Sequence, residues 1–412
     1  MSTETSIEEI VANADLPVAE KTPAINRVLA AEENYGANAA CEILRQTKDA
    51  RVASFAANHL ALFAGYDSQK NEIASNILEH RRELVVAVTN LVRFLKPKLV
   101  EEIILAYLKE PAGDLYNLAY EIATWFPSRL REHFSEVTDS LLRLGMLSGG
   151  PDNWAQAMAE RYRDSKSVDA LDSLGRMHTS FALDRLRALA SETSPEHHEN
   201  WKAALDNCGA GEATNADALL ISKPAFMGFV APPAHSHHRF GGLCQGMVPQ
   251  CLDCDRPGYL VLSLQAADLP FDSKIEHDLE FFWFGCQCDN LPYVNIRGSG
   301  EQRQILIGAQ TPADDKVTLL PAPASLELTK HPNQSGISLD ASAGLARHQV
   351  GGHPQWMHPV AFPVCLSCQN PMHFIAQIDS GMTIFGALTF KGILYCFWCP
   401  GCDTATTFQQ KV

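Results

Sequence analysis

The 412-residue sequence lacks most of the features that would place it in a familiar functional class. No apolar run approaches the roughly eighteen residues that a membrane-spanning helix needs. The opening MSTETSIEEI is acidic, with no basic segment leading into an apolar stretch, so no secretory leader is expected and the cytoplasm is the default compartment. Basic residues are in deficit: 33 Lys and Arg stand against 48 Asp and Glu, a net charge of −15. Nucleic-acid affinity is built on phosphate neutralisation, so direct nucleic-acid binding is disfavoured, and a basic protein partner is the better electrostatic match. Phosphate-binding Gly-rich loops, Gly-x-Ser-x-Gly and His-Glu-x-x-His are all missing, as is a spaced carboxylate pair. Residues His353, His358 and His373, near Gln377, are the one candidate acid–base cluster.

What is present divides in two. Residues 1–20 read as a flexible acidic lead-in. From 21 to 207 the pattern is helical, with apolar residues at three- and four-residue spacing. Val52, Phe55, Ala56, His59, Leu60 and Phe63 follow it, as do Leu115, Leu118, Ala119, Ile122 and Trp125. Breakers at Gly65, Pro97, Pro111, Pro127, Gly149-Gly150-Pro151 and Gly175 cut the stretch into short helices. A bundle or a solenoid of helix pairs is expected, and Leu171, Leu174, Leu183, Leu186 and Leu189 mark a portion resembling a HEAT-type helix pair. On such faces His59 is expected to be a satisfied core histidine, and Cys41 and Cys208 small buried hydrophobes. A linker is expected over 208–232, and a β-rich domain over 233–412.

Ten of the twelve cysteines fall between Cys244 and Cys402. The β-rich part is also duplicated. Gly241-Gly242, Cys251-Leu-Asp-Cys254, Pro257, Trp283, Cys286 and Cys288-Asp289 recur as Gly351-Gly352, Cys365-Leu-Ser-Cys368, Pro371, Trp398, Cys399 and Cys402-Asp403. The spacing between counterparts stays between 110 and 115 residues throughout, by subtraction of their numbers. Clustered Cys-x-x-Cys pairs without a secretion signal point to metal rather than disulfides. Each copy supplies four thiols, Cys251, Cys254, Cys286 and Cys288 in the first and Cys365, Cys368, Cys399 and Cys402 in the second. Two structural Zn²⁺ ions are therefore expected. A unit of about fifty residues has too small a core to stand alone, and a bound zinc supplies roughly 10 kcal/mol or more. Four thiolates close the coordination shell, which makes the metal structural rather than catalytic.

Several assignments stay open at this level. Cys244 could replace a ligand of the tight Cys-x-Cys closure, and His235, His237 and His238 could add one. The run Cys396-x-x-Cys399-x-x-Cys402 resembles part of an iron–sulfur pattern but lacks its Cys-Pro element, and Cys396 reads as packing within the strand ILYCFW. Trp356, beside a Gly/Pro turn, suits either a partner-binding anchor or a cap on a small core. Between the copies, 293–296, 304–307, 317–320 and 326–328 are strand-like and are expected to extend the sheet.

The residues Gly351, Gly352, Pro354, Trp356, Cys365, Cys368, Pro371, Met372, Phe374, Gln377, Phe397, Cys399 and Cys402 form a pattern that resembles the domain shared by bacterial YwqG-like proteins and eukaryotic programmed-cell-death-2-like ribosome-assembly chaperones. The resemblance covers roughly residues 225–410. It implies a β-rich, protein-binding domain with a duplicated unit. Its eukaryotic members chaperone a basic ribosomal protein, and its bacterial members are associated with toxin–immunity systems. Copy one departs from the pattern after Gly241-Gly242 and at its closing cysteines. The expectation is an α+β protein, helical then zinc-stapled β, that binds a protein partner through residues including Trp356, His353 and Gln377. A toxin-neutralising role leads, with a chaperone for a basic nascent protein as the alternative and a hydrolase of RNA or protein as the competing class.

Overall fold

The computed structural model describes residues 6–208, 219–286, 288, 293–306, 308–314, 316–320, 322–336, 347–358 and 362–411. The fold is α+β: helices occupy residues 7–207, and strands begin at Ala225.

The helical breaks follow the breaker residues. Helix Ala50–Leu60 is capped by the Asp49 carboxylate and buries Val52, Ala56 and Leu60. Helix Tyr116–Trp125 stops just before Pro127. Helices Val168–Gly175 and Ser180–Ala188 bury the expected leucines. His59 is fully buried, with Nδ1 at 2.9 Å from Asn26 Oδ1 and Nε2 at 2.8 Å from the Tyr35 carbonyl. Cys41 and Cys208 are buried. The cores follow the chain, one centred on Ile7 to Val52, one running mainly from Ala40 to Met146, and one from Leu147 to Cys208, so each is assembled from helices close in sequence.

Two expected boundaries are corrected. The lead-in is not loose from residue 7 onward. Ser6 and Glu9 form a reciprocal capping box that starts helix Ile7–Ala12, whose Ile7, Ile10 and Val11 are buried. Similarly, the last part of the linker (residues 209–218 of it lie outside the described residues) is a central strand. Ala225–Ala231 is buried along its whole length because it pairs on both edges and packs on both faces.

The first copy contributes β1 (Ala225–Ala231), β2 (Arg239–Phe240), β3 (Met247–Gln250), β4 (Gly258–Leu264) and β5 (Leu279–Phe284). Then come β6 (Val294–Arg297), β7 (Gln304–Ile305) and β8 (Ala309–Pro312). The second copy contributes β9 (Ala324–Lys330), β10 (Gln349–Gly351), β11 (His373–Asp379), β12 (Met382–Thr383), β13 (Gly386–Ala387), β14 (Ile393–Cys399) and β15 (Thr404–Gln410). Eleven strands form one sheet in the order β5-β4-β2-β9-β1-β10-β11-β14-β15-β6-β7. Of the strand-like pieces between the copies, 293–296 and 304–307 fall at β6 and β7, with Ile307 outside the described residues, and 326–328 lies in β9. The piece 317–320 forms no strand; its Leu319 and Leu320 are buried instead, Leu319 lying under Gly241.

The duplication survives as geometry. Hairpins β4–β5 and β11–β14 share register, with Leu260 opposite Phe282 and Phe374 opposite Phe397, and both break register at the next residue, Val261 or Ile375. The first strands of the two copies are exchanged. β1 pairs with β10 of the second copy, while β9 pairs with β2 of the first. The exchanged strands pair with each other, and the pairing maps onto itself about Phe229 opposite Glu327, which marks a local two-fold axis. The two units are therefore one continuous sheet, not two beads on a string.

Faces are assigned by strand parity. Leu394, Cys396 and Trp398 point into a core shared by both copies, whereas Ile393, Tyr395, Phe397 and Cys399 point to the other side. On β1, Val230 joins the shared core, while Met227 and Phe229 join the helical core. There the Arg93 guanidinium lies over Phe229 at 5.1 Å and Phe94 at 4.9 Å, and Trp125 stacks on His331 at 5.0 Å. Apolar and cation–π packing thus fixes the helices against the centre of the sheet.

Candidate metal centres

Each Cys-x-x-Cys lies in a tight turn at the foot of a hairpin. In the first, Cys251 N–H donates to Arg256 O at 2.9 Å and Asp255 N–H to Cys251 O at 3.0 Å. In the second, Cys365 N–H donates to Asn370 O and Gln369 N–H to Cys365 O, both at 2.8 Å. Asp255 and Gln369 occupy the left-handed region at φ 58° and 60°. The two turns are closed by the bridges Gln250–Pro257 and Val364–Pro371. All these counterparts are 114 residues apart, so backbone conformation repeats where side chains have diverged.

The turns bring the expected thiols together. Cys251, Cys254, Cys286 and Cys288 form one group and Cys365, Cys368, Cys399 and Cys402 the other, with all sulfurs of a group within 4.8 Å of one another. The Cys251–Cys286 and Cys368–Cys399 sulfurs are each 3.6 Å apart. A disulfide requires about 2.05 Å. Four sulfurs about 2.3 Å from a tetrahedral zinc lie about 3.8 Å from each other, so both groups fit a four-thiolate metal ion. Burial opposes ionisation of Cys365, but the backbone N–H groups of Cys368 and Ser367 and the adjacent thiols bring its pKa down to about 7. In the first group, Cys254 is lowered chiefly by the Arg256 N–H, while Cys288 is pushed up to about 12, chiefly by Cys254. Deprotonation of one thiol thus raises its neighbours, and a cation is what would relieve four thiolates held this close.

The open assignments resolve through strand geometry. Cys396 and Cys399 are three residues apart on one strand and so face opposite sides. Cys396 is fully buried in the shared core, and its burial holds the thiol protonated. Cys244 lies outside the first group, beside Arg303 and Glu280. His237 Nδ1 meets Asp268 at 2.8 Å, and His238 Nδ1 accepts from Gln265 N–H at 3.1 Å. Neither cluster includes His235, His237 or His238. The counterpart Asp289 lies outside the described residues, but Asp403 accepts from Trp398 Nε1 at 3.0 Å beside the second group.

The expected partner-binding residues fare differently. Gln377 is fully buried, its Oε1 accepting from Gln355 N–H at 2.8 Å and its Nε2 donating to Arg347 O at 3.2 Å. No partner can reach it, which corrects the expectation; it ties Gln355, in the segment after the Gly-Gly turn, to the sheet. Trp356 is half-buried and stacks on Tyr395 at 4.8 Å and on Phe397 and Phe408 at 6.2 and 6.4 Å, with its edge toward Phe362. It caps the core beneath the second cluster. His353 stacks instead on His178 of the helical part at 5.7 Å. His358 Nε2 lies 2.8 Å from Lys411 O, and His373 faces Trp398 across β11–β14, so each of the three histidines has a different neighbourhood.

Sequence reasoning passed over the exposed leucines of the knuckles. Leu252 is 62% and Leu366 39% exposed, at equivalent positions of Cys-Leu-x-Cys, with Val364 and Leu243 also exposed. The repeated Leu was in view as part of the motif, but nothing in its spacing said which way it points.

No family model matches the chain, and no solved structure matches it. An uncharacterized protein of Salmonella typhimurium, YpfL, is 38% identical over 84 residues. That match spans 19% of this chain and 20% of the Salmonella protein, so it is a local likeness. Among the described residues, no helix is long and apolar enough to cross a membrane.

Proposed function

We propose that the protein is a non-enzymatic, zinc-containing binding protein whose two Zn²⁺ ions are structural staples and whose partner is a basic polypeptide. The observation that carries the metal reading is the pair of closed four-thiol groups: each uses all four tetrahedral positions on protein sulfur, leaving none for water or substrate. Binding is supported by Leu252 and Leu366, apolar side chains held outward at matching positions of both copies by the same knuckle. Isolated exposed leucines are ordinary, but repetition at the tips of two rigid turns suits paired contacts with a partner. A net charge of −15 favours a basic one. The resemblance to YwqG-like proteins makes a toxin the leading candidate, with a nascent ribosomal protein as the alternative.

Elemental analysis of purified full-length protein should give two zinc per chain; no metal, or a coloured iron cluster, refutes the staple. Affinity capture followed by mass spectrometry should return a basic polypeptide in stoichiometric amount, lost in the Leu252→Asp/Leu366→Asp double variant. If that polypeptide is toxic when expressed alone and harmless when co-expressed, the neutralising role stands; a ribosomal protein selects the chaperone. Retention of the same partner by the double variant removes the knuckle tips from the binding reading.

A further inference from the structure

His235, His237 and His238 belong to neither thiol group. Together with Asp268 and Glu327 they line an open cleft of their own, about 310 Å³ in volume. Three stretches meet there: the turn between β1 and β2, the turn after β4 that carries Asp268, and β9, which carries Glu327. Backbone conformation separates the three rings. Ser236 is fully extended, at φ −152° and ψ 153°. Side chains two apart on extended backbone project to one side, so His235 and His237 share a side and His238 takes the other. His238 is accordingly buried, its Nδ1 accepting from Gln265 N–H, while His235 and His237 stay exposed. The segment is held in place by short bonds. His235 N–H donates to Pro232 O and His238 N–H to Ser236 Oγ, both at 3.1 Å. Leu326 N–H donates to His238 O at 2.9 Å, which pins the segment to β9 beside Glu327.

Each exposed ring has a carboxylate at its Nδ1. His237 Nδ1 is 2.8 Å from Asp268 Oδ2, and His235 Nδ1 is 4.0 Å from Glu327 Oε2. Metal-binding histidines are commonly oriented in this way: a carboxylate accepts the proton of one ring nitrogen, fixes the tautomer and leaves the other nitrogen as the ligand atom. Asp268 does this for His237, leaving Nε2. Glu327 is beyond hydrogen-bond distance and contributes negative charge at the same cleft. Among the described residues, no three ligand atoms here lie as close together as the thiols of either group, so this is not a third closed cage. Two imidazoles would fill two coordination positions and leave the others to water. Imidazole nitrogen suits borderline ions such as Zn²⁺ and Ni²⁺, whereas Mg²⁺ and Ca²⁺ prefer shells of oxygen.

We propose that His235 and His237 form a labile, solvent-accessible site for a borderline divalent transition-metal ion, with Asp268 as the positioning residue behind His237 and Glu327 as the nearby charge. The site is independent of the thiol groups and of the protein partner. With two protein ligands instead of four, it releases its ion on dialysis, while the thiol groups keep theirs.

The test titrates Ni²⁺ into untagged full-length protein that has been loaded with zinc and dialysed, read by calorimetry, with Mg²⁺ as control and zinc content measured afterwards. One saturable Ni²⁺ per chain is expected, with two zinc ions retained, no thiolate-to-nickel charge-transfer absorption and no saturable Mg²⁺ binding. The His235→Gln/His237→Gln double variant should abolish Ni²⁺ binding and, since both rings are exposed, keep the melting temperature of the natural protein. Asp268→Asn should weaken Ni²⁺ by about tenfold or more, and Asp268→Glu, which restores a carboxylate, should recover part of the loss. No saturable Ni²⁺ binding, affinity unchanged in the double variant, or equal binding of Mg²⁺ overturns the proposal. So does Ni²⁺ uptake with loss of zinc and the appearance of thiolate absorption, which would place the ion in a thiol group. A protein isolated without zinc that still takes up Ni²⁺ through these histidines would refute the staples proposed above and leave this site standing.

Discussion

Replacing Trp356 with Ala separates its two readings most cleanly. If the ring is part of the core, the cost appears in the free protein. It makes three stacked contacts and one edge contact, with Tyr395, Phe397, Phe408 and Phe362, at 4.8 to 6.4 Å. A well-placed aromatic pair contributes about 0.5–1.5 kcal/mol beyond area burial, and truncating a fully buried Trp costs about 3–5 kcal/mol. Because Trp356 is half-buried, its loss should cost about 2–3 kcal/mol. Urea unfolding followed by far-ultraviolet circular dichroism is the assay. With a slope of about 2–3 kcal/mol per molar, the midpoint should fall by about 1 M. Trp356→Phe, which keeps a ring in the stack, should recover most of the loss, and both variants should retain two metal ions. A midpoint for Trp356→Ala unchanged from the natural protein, together with lost partner capture, would refute the core assignment and restore Trp356 as an anchor.

Three further outcomes follow from the geometry. Cys399→Ser should reduce bound metal from two ions to one and open the second hairpin to protease, whereas Cys396→Ala should keep both ions and cost only about 1 kcal/mol in lost packing; equal metal loss in the two variants would put Cys396 among the ligands. Lys70 is fully buried, its Nζ donating to Phe63 O and Gly65 O, and burial brings its pKa from 10.5 down to about 7. The unfolded chain then binds the extra proton between about pH 7 and 10.5, so this group makes stability rise with pH across that window. Lys70→Met should lose that rise in denaturant melts taken at successive pH values, and an unaltered pH profile would contradict it. Gly351→Ala would place a Cβ 2.7 Å from Pro224 O at φ 67°. The left-handed strain alone should cost at least about 1–2 kcal/mol, measurable as a lower thermal midpoint, and a neutral result would show that the turn relaxes.

The sequence was most informative where function depends on local spacing. The two Cys-x-x-Cys turns, the closing thiols and the 114-residue repeat are short-range patterns, and the structure gathers all eight cysteines as the spacing implies. The opposite parity of Cys396 and Cys399 was also legible, because a strand alternates its faces whatever it packs against. Helix ends at Pro127 and Gly175 were readable for the same local reason, and the Ser6–Glu9 capping box is equally local in sequence.

Contacts between distant parts of the chain were decided only in three dimensions. Nothing in β1 or β9 states that each pairs with the other copy, since strand pairing is chosen by the whole set of available edges and faces. That exchange buries Ala225–Ala231 at the centre of the sheet and sets the helices against Met227 and Phe229. It also turns two small units, each short of a core, into one sheet with a shared interior. Burial then reassigned individual residues: Gln377, polar and close to the duplicated motif, became an internal tie, and Trp356 a lid on the aromatic stack. By itself the sequence determined which atoms can hold a metal, because ligand spacing is a property of a turn. Which surfaces stay exposed was decided by the tertiary structure, because exposure is what is left after every other face has found its neighbour.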